Sequence, residues 1–241
     1  MYFELKENRP HGTPENPFSQ YHISDVKRAF QIPVHWHDEL EIIYVKQGKL
    51  HVTISGENYI GSPKDAFVVS PGSQHFMGSP TGDADYYTFL FPLEYISFQT
   101  DDLMEKSILS PLKRGRLMIS PQINDTAADI CERLIEINAQ ISGKNAENTD
   151  AANIEAQFET KITLIKFIKK MWSNGLILEN GTNGINTTEK EMITYIWQNY
   201  TREISLKEFG AQFHLSEKYI SRYFKEHFHI TLSQYVNHLR L

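Results

Sequence analysis

The chain has 241 residues, 40% of them hydrophobic and 22% charged, with a formal net charge of −6 and one cysteine. That length can bury one large core or two smaller ones. A single cysteine excludes an internal disulfide framework, no apolar run approaches the roughly 18 residues of a membrane span, and the polar start MYFELKENRPHG is no signal peptide, so a cytoplasmic protein with no membrane association is expected.

The charge is uneven. Residues 1–187 hold 17 Lys+Arg against 24 Asp+Glu, whereas residues 188–241 hold 7 against 6 with four histidines. Any polyanion partner must therefore be met by local placement in the last segment, not by bulk charge.

Between residues 18 and 98 the pattern is strand-like. ELEIIYV (39–45), KLHVTI (49–54), DAFVVS (65–70) and YYTFLF (86–91) are β-branched or aromatic runs, separated by turn residues such as KQG, SGEN and SPTGD. Short strands at this spacing predict a closed or sandwiched β unit of roughly 80 residues. Within it, PVHWHDELEII (33–43) places His35, His37 and Glu41 at one parity, so strands carrying them point them to one face. Imidazole and carboxylate in that pattern suit a divalent metal or the lining of a ligand pocket, and they also suit hydrogen bonding inside a barrel. Phe18, Tyr21 and Trp36 are candidate stacking platforms for a ligand, although aromatics in a barrel are more often core.

The period then changes. Ala127, Ile130, Leu134, Ile137 and Ile141 recur at three or four residues, and so do Ile154, Phe158, Ile162, Ile165, Ile168 and Trp172. Two long amphipathic helices are predicted, joined by SGKNAENTD (142–150), to pack on the barrel or to pair with a second copy. Cys131 falls on the apolar face and is read as inert core. SNGLILENGTNGINT (173–187) carries three glycines and four asparagines and is the predicted linker.

Three capping boxes follow: TEKE (188–191), SLKE (205–208) and TLSQ (231–234). They predict short helices, the second ending at the turn HLS (214–216) and the third starting at Ser216. Ile220 and Phe224 face the core, leaving Lys218, Ser221, Arg222 and Lys225 outward. Such a helix fits the major groove of B-DNA, and it also fits a solvated face on a small bundle.

The pieces SLKEF, HLS, S-x-x-Y-I-S-R-x-F-K and T-x-S-Q-Y-x-x-x-L-R, spanning 204–241, resemble the first helix-turn-helix of the AraC family of transcriptional regulators. His35, His37, Glu41 and Gly48 fit the cupin pattern H-x-H-x₃-E-x₆-G, and PGSQH (71–75) resembles its second motif, ending at His75. HGTPENPFSQYHI (11–23) resembles the arm and first strand of this family's sensors, an arm that can lie over the pocket. The resemblance implies an α+β chain: a cupin-type effector-binding barrel at 1–100, a helical dimerisation or packing region at 101–175, a linker at 176–187 and a helix-turn-helix subdomain at 188–241.

By that resemblance Lys218, Ser221 and Arg222 read bases, with Lys225, Glu217 and Tyr219 also at the DNA. His35, His37, Glu41, His75, Phe18, Tyr21 and Trp36 are the candidate effector residues. The implied partners are double-stranded DNA, a sugar effector and a second copy of the chain. No catalytic residue and no cofactor are expected. The alternative is a metal-dependent cupin enzyme using His35, His37, Glu41 and His75. Gly210 departs from the family's usual alanine, His229 stands where a glycine normally stops the recognition helix, and the family's second helix-turn-helix lies outside this sequence, which reads as a shortened chain.

Overall fold

The structure is a computed structural model describing residues 7, 11–24, 30–142, 150–180, 192, 195, 196, 199–228 and 231–238. Eight strands come first: β1 (Ser19–Ile23), β2 (Phe30–His35), β3 (Leu40–Gln47), β4 (Leu50–Ile54), β5 (Glu57–Gly61), β6 (Ala66–Val69), β7 (His75–Ser79) and β8 (Asp85–Phe91). The strand-like runs of the sequence are all strands in the structure. Three short strands follow later: β9 (Leu117–Ile119), β10 (Gln122–Asn124) and β11 (Ile177–Glu179).

Two sheets make the N-terminal unit, one in the order β1-β8-β3-β6-β10 and the other β2-β7-β4-β5. β3 is apolar along most of its length because both of its faces are covered. Ile43 and Val45 meet Leu50, Val52, Ile54, Phe67 and Met77 between the sheets. Leu40, Ile42 and Tyr44 point the other way, into a second core roofed by helices. Glu41 shares the parity of Ile43 and Val45, so the alternation turns a carboxylate into the space between the sheets. Gly48 closes the β3–β4 turn at φ +73°, where a Cβ would collide with the Asp83 carbonyl.

The roof consists of α1 (Ser110–Lys113), α2 (Ala128–Ser142) and α3 (Asp150–Ser173). From α2, Ile130, Cys131, Leu134 and Ile137 are buried as expected. Burial pushes the Cys131 thiol well up, which keeps it neutral. The face of α3 departs in part from the predicted one: Ile168 is buried and Ile165 half-buried as expected, but the rest of the stripe is not. Leu164, Phe167, Ile168 and Met171 are buried, whereas Ile154 (55%), Phe158 (62%), Ile162 (43%) and Trp172 (61%) are exposed. The helix carries two apolar stripes, and the core shared with α2 takes the one that includes Thr160 and Thr163.

The boundaries differ too. β10 pairs with β6 and so joins the barrel sheet from beyond residue 100. Residues 177–179, read as linker, pair with β9 in register Ile177↔Ile119; the run Leu176–Leu178 is apolar enough for a strand despite its glycine and asparagine surroundings.

The C-terminal unit has its own core. Met192, Ile196, Ile204, Phe209, Ile220, Phe224, Leu232, Tyr235 and Val236 cluster together, and the partly buried Val34 and Trp36 of the barrel pack against them. Its helices are α4 (Leu206–Phe213), α5 (Glu217–Phe228) and α6 (Leu232–His238). The box TEKE and His229 lie outside the described residues.

Candidate nucleic-acid interface and barrel cluster

Each visible cap of the C-terminal unit forms as its sequence dictates. The Glu208 N–H donates to Ser205 Oγ (3.1 Å) at the start of α4, and the Tyr219 N–H donates to Ser216 Oγ (3.2 Å) at the start of α5. At α6 the box is reciprocal: Gln234 N–H donates to Thr231 Oγ1 (3.2 Å), and Thr231 N–H donates to Gln234 Oε1 (2.9 Å). In SLKE the Glu208 side chain is diverted, accepting from the Tyr195 hydroxyl (2.9 Å) and pairing with Arg202 (2.6 Å).

Between α4 and α5, His214 takes the left-handed conformation (φ 56°) that ends α4. Gly210 explains its own departure from alanine. A Cβ there would lie 2.5 Å from the Leu215 carbonyl oxygen, so only glycine lets the turn close against the helix.

Phe209, Ile220, Phe224 and Tyr235 hold the unit together, with the Phe224 ring 6.0 Å from Phe209 and 5.5 Å from Tyr235. With Ile220 and Phe224 turned inward, Glu217, Lys218, Tyr219, Arg222 and Lys225 are exposed and Ser221 is half-buried. The Arg222 guanidinium lies 5.9 Å from the Tyr219 ring centroid, close enough for a cation–π contact that restricts its fork. All six predicted contact residues therefore share one helix, at or near its surface, with Lys218, Arg222 and Lys225 supplying positive charge.

In the barrel, β2 and β7 pair His35 with His75, and His37 and Glu41 come in from the following turn and β3. The ligating nitrogens of His35, His37 and His75 lie within 4.8 Å of one another. His37, Glu41 and His75 are 2%, 2% and 1% exposed. Both His37 Nε2 (3.3 Å) and His75 Nε2 (3.0 Å) approach the same oxygen, Glu41 Oε2. On the other side of each ring, Nδ1 lies 3.1 Å from a backbone carbonyl, that of Glu39 for His37 and of Ser73 for His75. Burial alone would raise the Glu41 carboxyl, yet its hydrogen bonds and the charges of His37 and His75 hold it well below the ordinary carboxylate range. Burial likewise opposes charging His37, but Glu41 and Glu39 together outweigh it and raise the imidazole.

Two further residues join from the N-terminal arm, unannounced by any sequence motif. Glu7 Oε2 lies 3.3 Å from His11 Nε2 and 3.7 Å from His35 Nε2, and the buried His11 ring sits 5.7 Å from that of His37. The expectation of an arm over the pocket was the available signal, although it singled out neither residue.

The other candidate effector residues separate. The Tyr21 hydroxyl meets His11 Nδ1 at 3.0 Å and so stays with the cluster. Trp36 lies against the C-terminal core. Phe18 stacks on Phe89 and lines a different space, a cavity of about 570 Å³ between the arm and helices α2 and α3. Thr13, Asn16, Gln20, Asn138 and Gln157 also line it. Among the described residues no helix is long and apolar enough to cross a membrane.

Residues 17–156, more than half of the chain, match the family described as AraC-like ligand binding domain. Two relatives cover most of the chain. The first is "Uncharacterized HTH-type transcriptional regulator YdiP" of Escherichia coli (strain K12), 23% identical over 208 residues, which are 86% of this chain and 65% of that protein. The second is "Uncharacterized HTH-type transcriptional regulator YdeC" of Bacillus subtilis (strain 168), 25% identical over 247 residues, 98% of this chain and 80% of that protein. Among solved structures, an RmlC-like cupin from Shewanella frigidimarina is similar over 31% of this chain and 66% of its own, with 24% identity and a TM-score of 0.29.

Proposed function

Because the chain belongs to the AraC-like ligand-binding domain family, we propose that it is a ligand-responsive, sequence-specific DNA-binding regulator of transcription acting in the cytoplasm. One observation carries this reading. A capped helix, anchored inward by Ile220 and Phe224, presents Lys218, Tyr219, Arg222 and Lys225 to solvent. Arg222 is suited to bidentate contact with guanine and Lys225 to phosphate, a division of labour between specifying and positioning.

The effector belongs to the carbohydrate class in this reading, and its seat is the cavity beside Phe18. That ring offers an apolar face, and the amides of Asn16, Gln20, Asn138 and Gln157 offer paired donors and acceptors, a combination that fits a neutral polyhydroxylated ligand. The exposed stripe Ile154, Phe158 and Ile162 on α3 is the face for a second copy of the chain. Trp36 carries the signal, since its backbone lies between His35 and His37 while its side chain rests on the helix-turn-helix core. Effector binding then shifts the population of arrangements in which the DNA-reading unit is available.

Selection of duplexes from a random-sequence pool tests the reading. One enriched sequence motif is expected, and its binding should weaken steeply with salt as Lys and Arg displace counterions. Recovery of duplexes with no shared motif contradicts it. For the effector, a sugar at a hundredfold excess over its Kd should add about 2.7 kcal/mol of stability, and Gln157→Ala should reduce that gain.

A further inference from the structure

Tyr219 lies beside Arg222 on α5 and is 38% exposed, yet its ring is not loose. It stacks on Tyr223, one turn later, with centroids 6.2 Å apart and planes 17° from parallel. Tyr223 is buried and meets the Phe224 ring edge-on at 5.9 Å. Phe224 in turn meets Phe209 and Tyr235. A row of rings thus runs from the centre of the C-terminal core out to the surface of α5. The backbone at its outer end is fixed too, since the Tyr219 N–H donates to Ser216 Oγ. The last ring of the row lies 5.9 Å from the Arg222 guanidinium, inside the roughly 6 Å reach of a cation–π contact.

Position gives that contact a direction. Residues three apart on a helix are surface neighbours, and Tyr219 is the N-terminal member of the pair. The contact therefore draws the guanidinium toward the N-terminal end of α5. In a helix-turn-helix that is the end whose side chains reach base edges. A free arginine gives up the freedom of a long side chain before its planar fork can meet one base edge, and a fork already held gives up less. Such a hold acts on base contacts more than on phosphate contacts, which carry no sequence information. We propose that Tyr219 is a positioning residue for sequence reading. Anchored through Tyr223 and Phe224 to the core, it pre-orients the Arg222 fork, and it raises discrimination at one base pair more than overall affinity for the duplex. The proposal rests on the DNA-binding reading of α5 and adds that part of its specificity is built from the core outward.

The experiment measures the full chain by fluorescence anisotropy against a duplex selected from a random pool and against each single-base-pair substitution of it. Arg222→Ala first identifies the base pair whose discrimination depends on Arg222. Tyr219→Leu and Tyr219→Gln then remove the ring; both introduce good helix formers at a partly exposed position, and circular dichroism checks the fold. Each should lower discrimination at that base pair about 2- to 5-fold, the size of a cation–π contact at an exposed site. Nonspecific affinity and the salt slope should stay at wild-type values. Tyr219→Phe keeps the ring and should keep the discrimination. In the Arg222→Ala background, Tyr219→Leu should change nothing further. Full discrimination in both Tyr219→Leu and Tyr219→Gln overturns the proposal. So does an equal loss with and without Arg222, which would mean that Tyr219 touches the duplex itself, or a loss in Tyr219→Phe as large as in Tyr219→Leu. If Arg222→Ala leaves discrimination unchanged at every base pair, the DNA-binding reading of α5 fails first, and that result is distinct from the other three.

Discussion

In the helix-turn-helix, every group offered to a partner lies between Glu217 and Lys225 on one helix, whereas the barrel cluster gathers His35, His37, Glu41 and His75 from three strands and a turn and then adds Glu7 and His11 from an arm. The first arrangement follows from local periodicity: two apolar anchors four residues apart fix which face of the helix is turned outward. The second requires a register, His35 opposite His75, that only the finished sheet provides. A surface face can thus be altered one side chain at a time, while an interior cluster shares its fate with the fold around it.

The sharpest way to break that contrast is to remove the anchor of α5. Phe224→Ala removes a fully buried ring and should cost about 3–5 kcal/mol, confined to the C-terminal unit. Hydrogen exchange should show lost protection in α4 and α5 with β3 amides still protected; equal loss in β3 would mean that the two regions are one cooperative unit.

A subtler change tests whether packing or propensity rules the turn. Gly210→Ala should gain up to about 1 kcal/mol from helix propensity, but its Cβ would meet the Leu215 carbonyl at 2.5 Å. The clash, of about 1–3 kcal/mol, should win, so the melting temperature of the unit falls. A rise would show that the turn relaxes freely.

The smallest effect concerns the helical roof over the sheets. Glu132 on α2 accepts from Lys46 Nζ (2.6 and 2.8 Å) and from the Tyr44 hydroxyl (2.8 Å) of β3. Burial would raise its carboxyl, but these partners hold it below its ordinary value of 4.5. A depressed carboxylate stabilises fully above that value and loses its contribution as pH falls below it, through the lower folded-state value. Because the pair is partly exposed, the effect is about 1 kcal/mol or less. Glu132→Gln should flatten the acid limb of a Tm-against-pH curve slightly; an unchanged limb would remove the pair from the account.

The same contrast explains what was legible in the chain. Strand parity placed Glu41 between the sheets, capping residues placed α4, α5 and α6, and the spacing of Ile220 and Phe224 gave the outward face. The choice between the two stripes of α3 was not legible, because Phe158 and Trp172 are as apolar as Phe167 and Met171 and only the tertiary packing decides between them. Nor was the separation of Phe18, Trp36 and Tyr21 into three environments, since adjacency in sequence carries no information about which sheet, arm or domain each ring meets. Gly210 looked like a helix defect until the Leu215 carbonyl was seen beside it.

The most direct test of the account is Arg222→Ala measured against a selected duplex by fluorescence anisotropy, with circular dichroism confirming the fold. Loss of a bidentate guanine contact of about 1–3 kcal/mol predicts roughly 5- to 150-fold weaker specific binding with nonspecific binding little changed. Equal affinity of wild type and variant for that duplex would contradict the assignment of α5 as the helix that reads DNA.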